Sequence, residues 1–304
     1  MRIGMVGLGK MGANMTTRLL GDGHDVVAFD IDPASVETAQ RAGAIGAATL
    51  EDVVALLEPP RAIWIMVPAG PITAQTIERL SGLLERGDTI VDGGNSRYTD
   101  SVAAAAALRE HGIAFVDAGT SGGIWGLTEG YCLMVGADED AFRHMEPVFR
   151  SLAPENGYAH VGPPGAGHFT KMVHNGIEYA LMQAYGEGFE LLESGPFEVD
   201  VGRVAELWRH GSVVRSWLLD LAARAFENDP GLEALSDHIE DSGEGRWAVE
   251  TAINNAVPVP AIANALFHRF ASRQDASFSG KVIAALRREF GGHSVYPIDP
   301  PKPS

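Results

Sequence analysis

The 304-residue chain is 45% hydrophobic, which is enough to bury one or two sizeable cores. It has 40 acidic and 23 basic residues and no basic cluster that could follow a phosphate backbone, so a nucleic-acid partner is not expected. Cys132 is its single cysteine and its histidines show no close ligand spacing, so neither a disulfide nor a metal site is expected. The sequence shows no apolar run of membrane-spanning length, and we expect a cytoplasmic protein without a signal peptide.

The first predicted elements are a strand, a glycine turn and a helix. Residues 2–6 form an apolar run, and an amphipathic helix continues to about residue 20. In the turn between them, Gly7 permits a sharp bend, Gly9 lets the backbone approach a pyrophosphate, and Gly12 permits close packing of helix on strand. We therefore predict a dinucleotide site with contacts from Gly7, Leu8, Gly9, Met11 and Gly12.

Asp30 follows the second predicted strand and lies 18 residues beyond Gly12. A carboxylate at this position can accept both hydroxyls of an adenosine ribose. It would repel a 2′-phosphate about 4 Å away by roughly 1 to 4 kcal/mol per unit charge, so NAD is favoured over NADP. Two alternatives are open: Asp30 caps the next helix before Pro33, or Asp30 and Asp32 form an aspartyl-phosphate motif, although that nucleophile should follow the first strand.

Strands and helices alternate through the rest of the first domain. This alternation indicates an α/β fold with a parallel, doubly wound Rossmann-type sheet, and we place this NAD-binding domain at residues 1–163. Its further strands are predicted at residues 62–67, 89–91, 114–116, 131–136 and 158–161. Helices are predicted at residues 72–84, 99–111 and 139–152.

Three polar loops follow strands of this sheet, at residues 66–70, 92–96 and 117–123. In doubly wound sheets, ligands bind beyond the C-terminal ends of the strands. Asn95 and Ser121 offer donors and acceptors there, and Val67 and Asn95 are expected beside the cofactor. The residue preferences of ordinary turns explain the composition of each loop alone, but three such loops at one edge of the sheet indicate a binding site.

A long helix is predicted to open the second domain. Prolines and glycines at 163–167 and at 194–196 frame roughly 25 residues of helical character. At 100° per residue, a single stripe about 100° wide carries four polar side chains. They are Lys171, His174, Asn175 and Glu178. A solvated helix face is the alternative explanation for these residues.

The stripe combines a base with an acid. A lysine acts as a general base near neutral pH only if its pKa falls from about 10.4 to about 7 or 8, which burial and the nearby helix N-terminus both favour. Glu178, two turns away, can have a different environment and donate a proton. The structural alternative is a surface ion pair between Lys171 and Glu178.

The second domain, residues 164–304, is expected to be all-helical. Helical spacing recurs at 197–225, 248–255, 259–273 and 280–290, and strand signals are few. Trp208, Trp217 and Trp247 are interpreted as core or subunit-contact residues rather than ligand platforms.

Four motifs occur together in this chain. They are the glycine turn, Asp92-Gly-Gly-Asn95, Thr120-Ser-Gly-Gly123 and Lys171-Met-Val-His-Asn-Gly-Ile-Glu-Tyr179. In this combination the chain resembles the decarboxylating 6-phosphogluconate dehydrogenases, and the resemblance extends to the segment 287–293. The chain is much shorter than the common long form and resembles the short bacterial form, for which Asp30 and an NAD preference are usual.

The resemblance implies roles for the residues of the stripe. Lys171 would take the proton of the substrate C3 hydroxyl while NAD accepts the hydride, and would then polarise the 3-keto oxygen during loss of carbon dioxide. Glu178 would protonate C1 of the enediol to give ribulose 5-phosphate, and Asn175 belongs to the same catalytic set.

The resemblance also implies substrate contacts and an oligomer. The sugar acid would be held by Asn95, Ser121, Gly122, Gly123, His174 and Asn175. The phosphate would be held by Tyr179, Arg269, Arg287 and His293. The last two lie in a tail that reaches a neighbouring subunit's site in this family, which implies a homodimer or a homotetramer.

One departure from the family pattern concerns the phosphate. Long forms carry a Lys-Gly-Thr segment before the tryptophan, and residues 241–247 lack both that lysine and that threonine. Arg246 either replaces them, since a guanidinium binds phosphate with two bonds, or packs along Trp247.

Two other functions compete with the leading one. A 3-hydroxyacid dehydrogenase resembling 3-hydroxyisobutyrate dehydrogenase would share the fold and the lysine base without releasing carbon dioxide, but it needs neither Glu178 nor a phosphate clamp. A non-catalytic NAD-binding sensor would not need Lys171, Asn175 and Glu178 together.

Overall fold

The computed structural model describes residues 1–292 and 294–296. The chain divides into two compact units between Asn175 and Gly176, inside a helix. The functional domain boundary that the sequence places after residue 163 stays a prediction.

Within residues 1–175, all of which the structure describes, eight strands form one sheet in the order β3-β2-β1-β4-β5-β6-β7-β8. The strands are β1 (Arg2–Val6), β2 (Asp25–Phe29), β3 (Ile45–Gly46), β4 (Ala62–Ile65), β5 (Thr89–Asp92), β6 (Ala114–Ser121), β7 (Cys132–Ala137) and β8 (Tyr158–Gly162). The helices are α1 (Lys10–Gly21), α2 (Pro33–Arg41), α3 (Leu50–Ala55), α4 (Pro71–Ser81), α5 (Tyr98–His111), α6 (Gly126–Glu129) and α7 (Glu139–Leu152). This arrangement confirms the doubly wound α/β fold.

Alternating side chains place a core on each face of the sheet. Trp64 of β4 packs in one core, where it meets Phe149 of α7 edge-on at 6.1 Å between ring centroids. Its neighbours Ile63 and Ile65 pack in the core on the other face. Because both faces are covered by helices, strands such as β4 and β5 are buried throughout, which explains their continuous apolar runs.

One strand departs from the predicted parallel arrangement. β7 pairs antiparallel with β6, with Ser121 opposite Cys132, and every other neighbouring pair is parallel. The connection over residues 122–131 is too short for the crossover of about a dozen or more residues that parallel strands require.

The regular elements in the described part of the second unit are all helices, as the sequence predicts. Helix α8 (Ala166–Glu193) begins in the first unit and continues into the second. The other helices are α9 (Val201–Trp208), α10 (Trp217–Asn228), α11 (Glu244–Asn254), α12 (Pro260–Ser272) and α13 (Phe278–Gly291). Among the helices described, none combines the length and the apolar character needed to cross a membrane.

Two small cores hold the second unit together. Phe189 of α8 packs with α9 and α10, and Trp208 stacks on it at 5.9 Å, so Trp208 is a core residue. Tyr179 of α8 packs with Ala265 and Leu266 of α12 in the other core. The helical region predicted from residue 197 to 225 is interrupted, because the chain turns at Gly211, whose φ is +79°.

Candidate active site

The glycine turn between β1 and α1 has the geometry that the sequence predicts. Gly7 has φ +97°, and a Cβ there would overlap the carbonyl oxygen of Met66. A Cβ at Gly12 would overlap the carbonyl oxygen of Gly7. A Cβ at Gly9 would meet no described atom within 4 Å, so packing within the chain does not require this glycine. The turn therefore fits a dinucleotide, whose pyrophosphate needs the open backbone at Gly9.

Asp30 lies at the end of β2 beside this turn. Its carboxylate accepts the backbone N–H of Leu8 at 2.6 Å and that of Asp32 at 2.8 Å. The cap of α2 is Asp32, which accepts the N–H of Ala34 at 3.1 Å, so the alternative that Asp30 caps this helix is wrong. Asp30 is thus fixed beside the glycine turn, where it could bind a ribose.

Two of the three predicted polar loops leave the same edge of the sheet. Ile65 ends β4 and pairs with Asp92 at the end of β5. The predicted loop at 117–123 is wrong up to residue 121, because β6 continues through Asp117, which pairs with Asp92, to Ser121. The side chain of Val67 lies 3.1 Å from the position that a Cβ would take at Gly7. The loops after β4 and β5 therefore follow strands that end beside the glycine turn, and the second of them carries the half-buried Asn95.

Three glycines let α8 begin directly on the sheet. A Cβ at Gly119 of β6 would lie 2.5 Å from the Cβ of Lys171 and 2.7 Å from the carbonyl oxygen of Gly167. A Cβ at Gly167 would lie 2.7 Å from the backbone nitrogen of Gly136 in β7. Helix and strands thus meet backbone to backbone, and this contact places Lys171 against β6.

Asp117 holds the start of α8 and was not predicted as a functional residue. Its fully buried carboxylate accepts the N–H of Gly165 at 2.6 Å and that of His168 at 2.7 Å. Burial raises the pKa of Asp117, while the charge of His168 and the two N–H donors lower it. The Ser101 Oγ of α5 lies 2.7 Å from Nδ1 of His168 and forms a second hydrogen bond to the start of α8. The sequence places Asp117 in a polar loop after the predicted strand 114–116, and its burial in β6 shows its role only in the structure.

Four polar side chains form the Lys171 cluster: Ser121, Lys171, His174 and Asn175. The His174 ring lies between the others, with Nε2 3.3 Å from Oγ of Ser121 and Nδ1 3.0 Å from Oδ1 of Asn175. Lys171 Nζ lies 3.4 Å from the same Nδ1. Lys171 is only 9% exposed, so the alternative of a solvated lysine on a surface ion pair is wrong. Gly122 and Gly123 follow Ser121 with positive φ.

The second unit carries the predicted phosphate residues of α8 and α12. The guanidinium of Arg269, which is 5% exposed, lies 3.8 Å from the centroid of the Tyr179 ring. Burial lowers the pKa of Arg269, and the charges of Tyr179, Asp241 and Glu178 raise it. The Tyr179 hydroxyl accepts the N–H of Ser242 at 3.3 Å, and Glu178 is half-buried.

The structure does not join the remaining predicted phosphate residues to this pair. Arg287 lies on the exposed helix α13, whereas the Tyr179 hydroxyl accepts the backbone N–H of Ser242 and Arg269 donates to the carbonyl oxygen of Ala265. His293 lies outside the described residues. Arg246 stacks on Phe270, with its guanidinium 4.3 Å from the ring centroid.

Gly119→Ala tests the close contact between β6 and Lys171. The added methyl would lie 2.5 Å from Lys171 Cβ, so we expect a loss of about 1 to 3 kcal/mol in the free energy of unfolding and a lower kcat. Urea titration and steady-state assays measure both effects. Gly186→Ala is the control, since a Cβ there meets no described atom within 4 Å and alanine favours a helix. Equal stability and activity of the two variants would contradict the close contact.

Comparison with known proteins matches both parts of the chain to one family. Residues 2–162 match the model of the NAD binding domain of 6-phosphogluconate dehydrogenase, and residues 167–285 match its C-terminal domain. YqeC of Bacillus subtilis (strain 168) is 47% identical over 97% of this chain and 99% of its own length. The NAD(+)-dependent, decarboxylating 6-phosphogluconate dehydrogenase of Haloferax volcanii is 45% identical over 97% of this chain and 98% of its own length.

Solved structures share the fold. Plasmodium falciparum 6-phosphogluconate dehydrogenase has a TM-score of 0.81 at 24% identity, with 100% of this chain and 67% of that chain covered. Mycobacterium tuberculosis 3-hydroxyisobutyrate dehydrogenase has a TM-score of 0.73 at 25% identity, with 94% of this chain and 99% of that chain covered. The fold is therefore common to both kinds of enzyme, whereas the two family models and the full-length relatives identify the family of this chain. The chain belongs to the 6-phosphogluconate dehydrogenase family.

Proposed function

We propose that this chain oxidises and decarboxylates 6-phospho-D-gluconate to D-ribulose 5-phosphate and carbon dioxide, with NAD as the acceptor. The observation that carries the proposal is the Lys171 cluster, in which a buried lysine meets His174 on a helix that bears Glu178 two turns further on. The Haloferax volcanii relative, whose name gives this reaction and this cofactor, supports it.

Lys171 is the proposed general base. Its burial disfavours the ammonium form, which is what removal of a proton from the C3 hydroxyl requires. The glycine turn and Asp30 would hold NAD, which would supply the acceptor for the hydride of C3. The protonated lysine then stabilises negative charge on the 3-keto oxygen while carbon dioxide departs.

The neighbours of Lys171 hold and orient the sugar acid. His174 lies between Ser121 and Asn175, so its two ring nitrogens are fixed in direction. Asn175 completes the catalytic set, and Asn95, Gly122 and Gly123 supply further polar contacts from loops at the sheet edge. Orientation of the C3 hydroxyl towards the lysine contributes to the rate because it replaces random encounter.

Glu178 distinguishes the proposed reaction from simple oxidation. Loss of carbon dioxide leaves an enediol that must gain a proton at C1, and the half-buried Glu178 carboxyl is the proposed donor. A dehydrogenase that stops at the ketone has no use for this group. The phosphate contacts proposed for Tyr179, Arg269, Arg287 and His293 are likewise unnecessary for an unphosphorylated 3-hydroxyacid.

The stoichiometry of products tests this function. With 6-phosphogluconate labelled at C1, we expect one carbon dioxide released for each NADH formed. NADH without carbon dioxide, or faster turnover of 3-hydroxyisobutyrate, would favour the dehydrogenase instead. Absence of turnover with every substrate would favour an NAD-binding sensor.

Asp30 is the proposed determinant of NAD preference. Removal of its charge should lower the ratio of kcat/KM for NAD to that for NADP about tenfold, since roughly 1.4 kcal/mol of repulsion with a 2′-phosphate disappears. Asp30→Asn keeps an acceptor for the Leu8 N–H and isolates the charge, whereas Asp30→Ala also loses that bond. An unchanged ratio in both variants would show that another group selects the cofactor.

A homodimer or homotetramer is the proposed assembly. Every residue of α13 is exposed, although its apolar side chains recur on one face. These side chains are Phe278, Val282, Ile283, Leu286 and Phe290. An uncovered apolar stripe of this size is typical of a surface that a second copy covers. Arg287 lies on the same helix, so a neighbouring copy would bring it to the substrate phosphate.

A further inference from the structure

A buried carboxylate in the second unit joins two arginines. The Asp241 side chain is 3% exposed and precedes α11. It accepts Nε and Nη2 of Arg246 at 2.7 and 3.0 Å, and Nη2 of Arg273 at 2.7 Å. Arg246 and Arg273 lower the pKa of Asp241 against the opposing effect of burial, so the carboxylate is ionised at neutral pH.

Arg246 is held on two sides and exposed on a third. Its Nε and Nη2 edge is occupied by Asp241, and its flat face lies on the Phe270 ring, 4.3 Å from the centroid. The side chain is nevertheless 49% exposed. A fixed guanidinium with an accessible edge is preorganised for an oxyanion, because little side-chain freedom remains to be lost on binding.

The same segment touches the Tyr179 and Arg269 pair. The N–H of Ser242, next to Asp241 in the chain, donates to the Tyr179 hydroxyl. A Cβ at Gly245 would lie 2.6 Å from the Tyr179 ring, so α11 packs closely on this tyrosine. Arg246 therefore belongs to the same small region as the predicted phosphate residues Tyr179 and Arg269.

Three arginines and several carboxylates meet in this region, in a chain whose net charge is −17. Arg246, Arg269 and Arg273 supply three positive charges to this region. Asp241, Glu240 and the buried Glu244 supply three negative charges; Glu240 accepts Nη1 of Arg273 at 3.2 Å, and Glu244 accepts Ser242 Oγ at 2.6 Å. Arg246 and Arg273 both pair with Asp241, but Arg246 is 49% exposed against 21% for Arg273, so Arg246 is the more accessible of the two to a ligand.

We propose that Arg246 binds the substrate phosphate in place of the absent lysine and threonine, and that Asp241 is the positioning residue that aims it. The inference rests on the proposed function, because it assigns the phosphate end of that substrate. A guanidinium with a fixed orientation can bind phosphate oxygens with two bonds.

Two variants and a control test the assignment. Arg246→Gln should raise KM for 6-phosphogluconate and the inhibition constant of inorganic phosphate about 10- to 100-fold, with a smaller effect on kcat. Arg143→Gln removes one exposed arginine paired with Glu139 and should leave both constants unchanged. An Arg246→Gln enzyme that is folded by circular dichroism and has unchanged constants would overturn the phosphate contact.

Asp241→Asn separates positioning from mere charge. If Asp241 only neutralises the arginines, loss of its charge tightens phosphate binding. If it aims Arg246, the variant binds phosphate more weakly, and Asp241→Asn with Arg246→Gln together are no worse than Arg246→Gln alone. Tighter binding would overturn the positioning role. Titration calorimetry with inorganic phosphate gives the same comparison without turnover, so the result stands apart from the fate of the proposed reaction.

Discussion

Lys171→Met is expected to abolish NADH formation from 6-phosphogluconate. Methionine fills a similar volume in the buried site but cannot accept a proton, and loss of a general base typically costs about 10²- to 10⁴-fold in rate. NAD binding should persist, because the glycine turn and Asp30 contact each other rather than Lys171. Steady-state assays and NAD titration measure the two effects.

Lys171→Arg is the matched control for charge. Arginine keeps the positive charge, yet its pKa above about 12 prevents it from acting as a base. We therefore expect this variant to be as inactive as Lys171→Met. Substantial activity in Lys171→Arg would mean that charge at this position suffices, and normal activity in Lys171→Met would remove the base assignment altogether.

Glu178→Gln is expected to slow release of ribulose 5-phosphate about 10²- to 10⁴-fold, because the amide cannot donate the proton that C1 requires. The same variant should lose the exchange of C1 hydrogens of ribulose 5-phosphate with deuterated water, a reaction that involves neither oxidation nor loss of carbon dioxide. Glu187→Gln, an exposed position on α8, is the control. Exchange at the normal rate in Glu178→Gln would assign C1 protonation to another group.

The local parts of the site follow from sequence. The turn from Gly7 to Gly12 is contiguous, so its residue types reveal its backbone geometry before any contact is known. Helical periodicity likewise brings Lys171, His174 and Asn175 together, and the structure shows them in contact. In both cases the informative residues lie within one or two turns of chain.

Contacts between distant segments explain what the sequence did not predict. Asp117 and His168 are 51 residues apart, and nothing at either position specifies the other. Asp241 and Arg273 are 32 residues apart, so the sequence does not show that they pair or that the Asp241 carboxylate is buried. β7 reads as one more strand, and its antiparallel direction follows from the length of the connection rather than from its residues.

A structure of the enzyme with 6-phosphogluconate bound tests the central claim most directly. We expect Lys171 Nζ within about 3 Å of the C3 oxygen, the distance that proton transfer requires, and the Glu178 carboxyl beside C2, the carbon that becomes C1 of ribulose 5-phosphate. A C3 oxygen that lies against any other base, with Lys171 turned away from the sugar acid, would contradict the account.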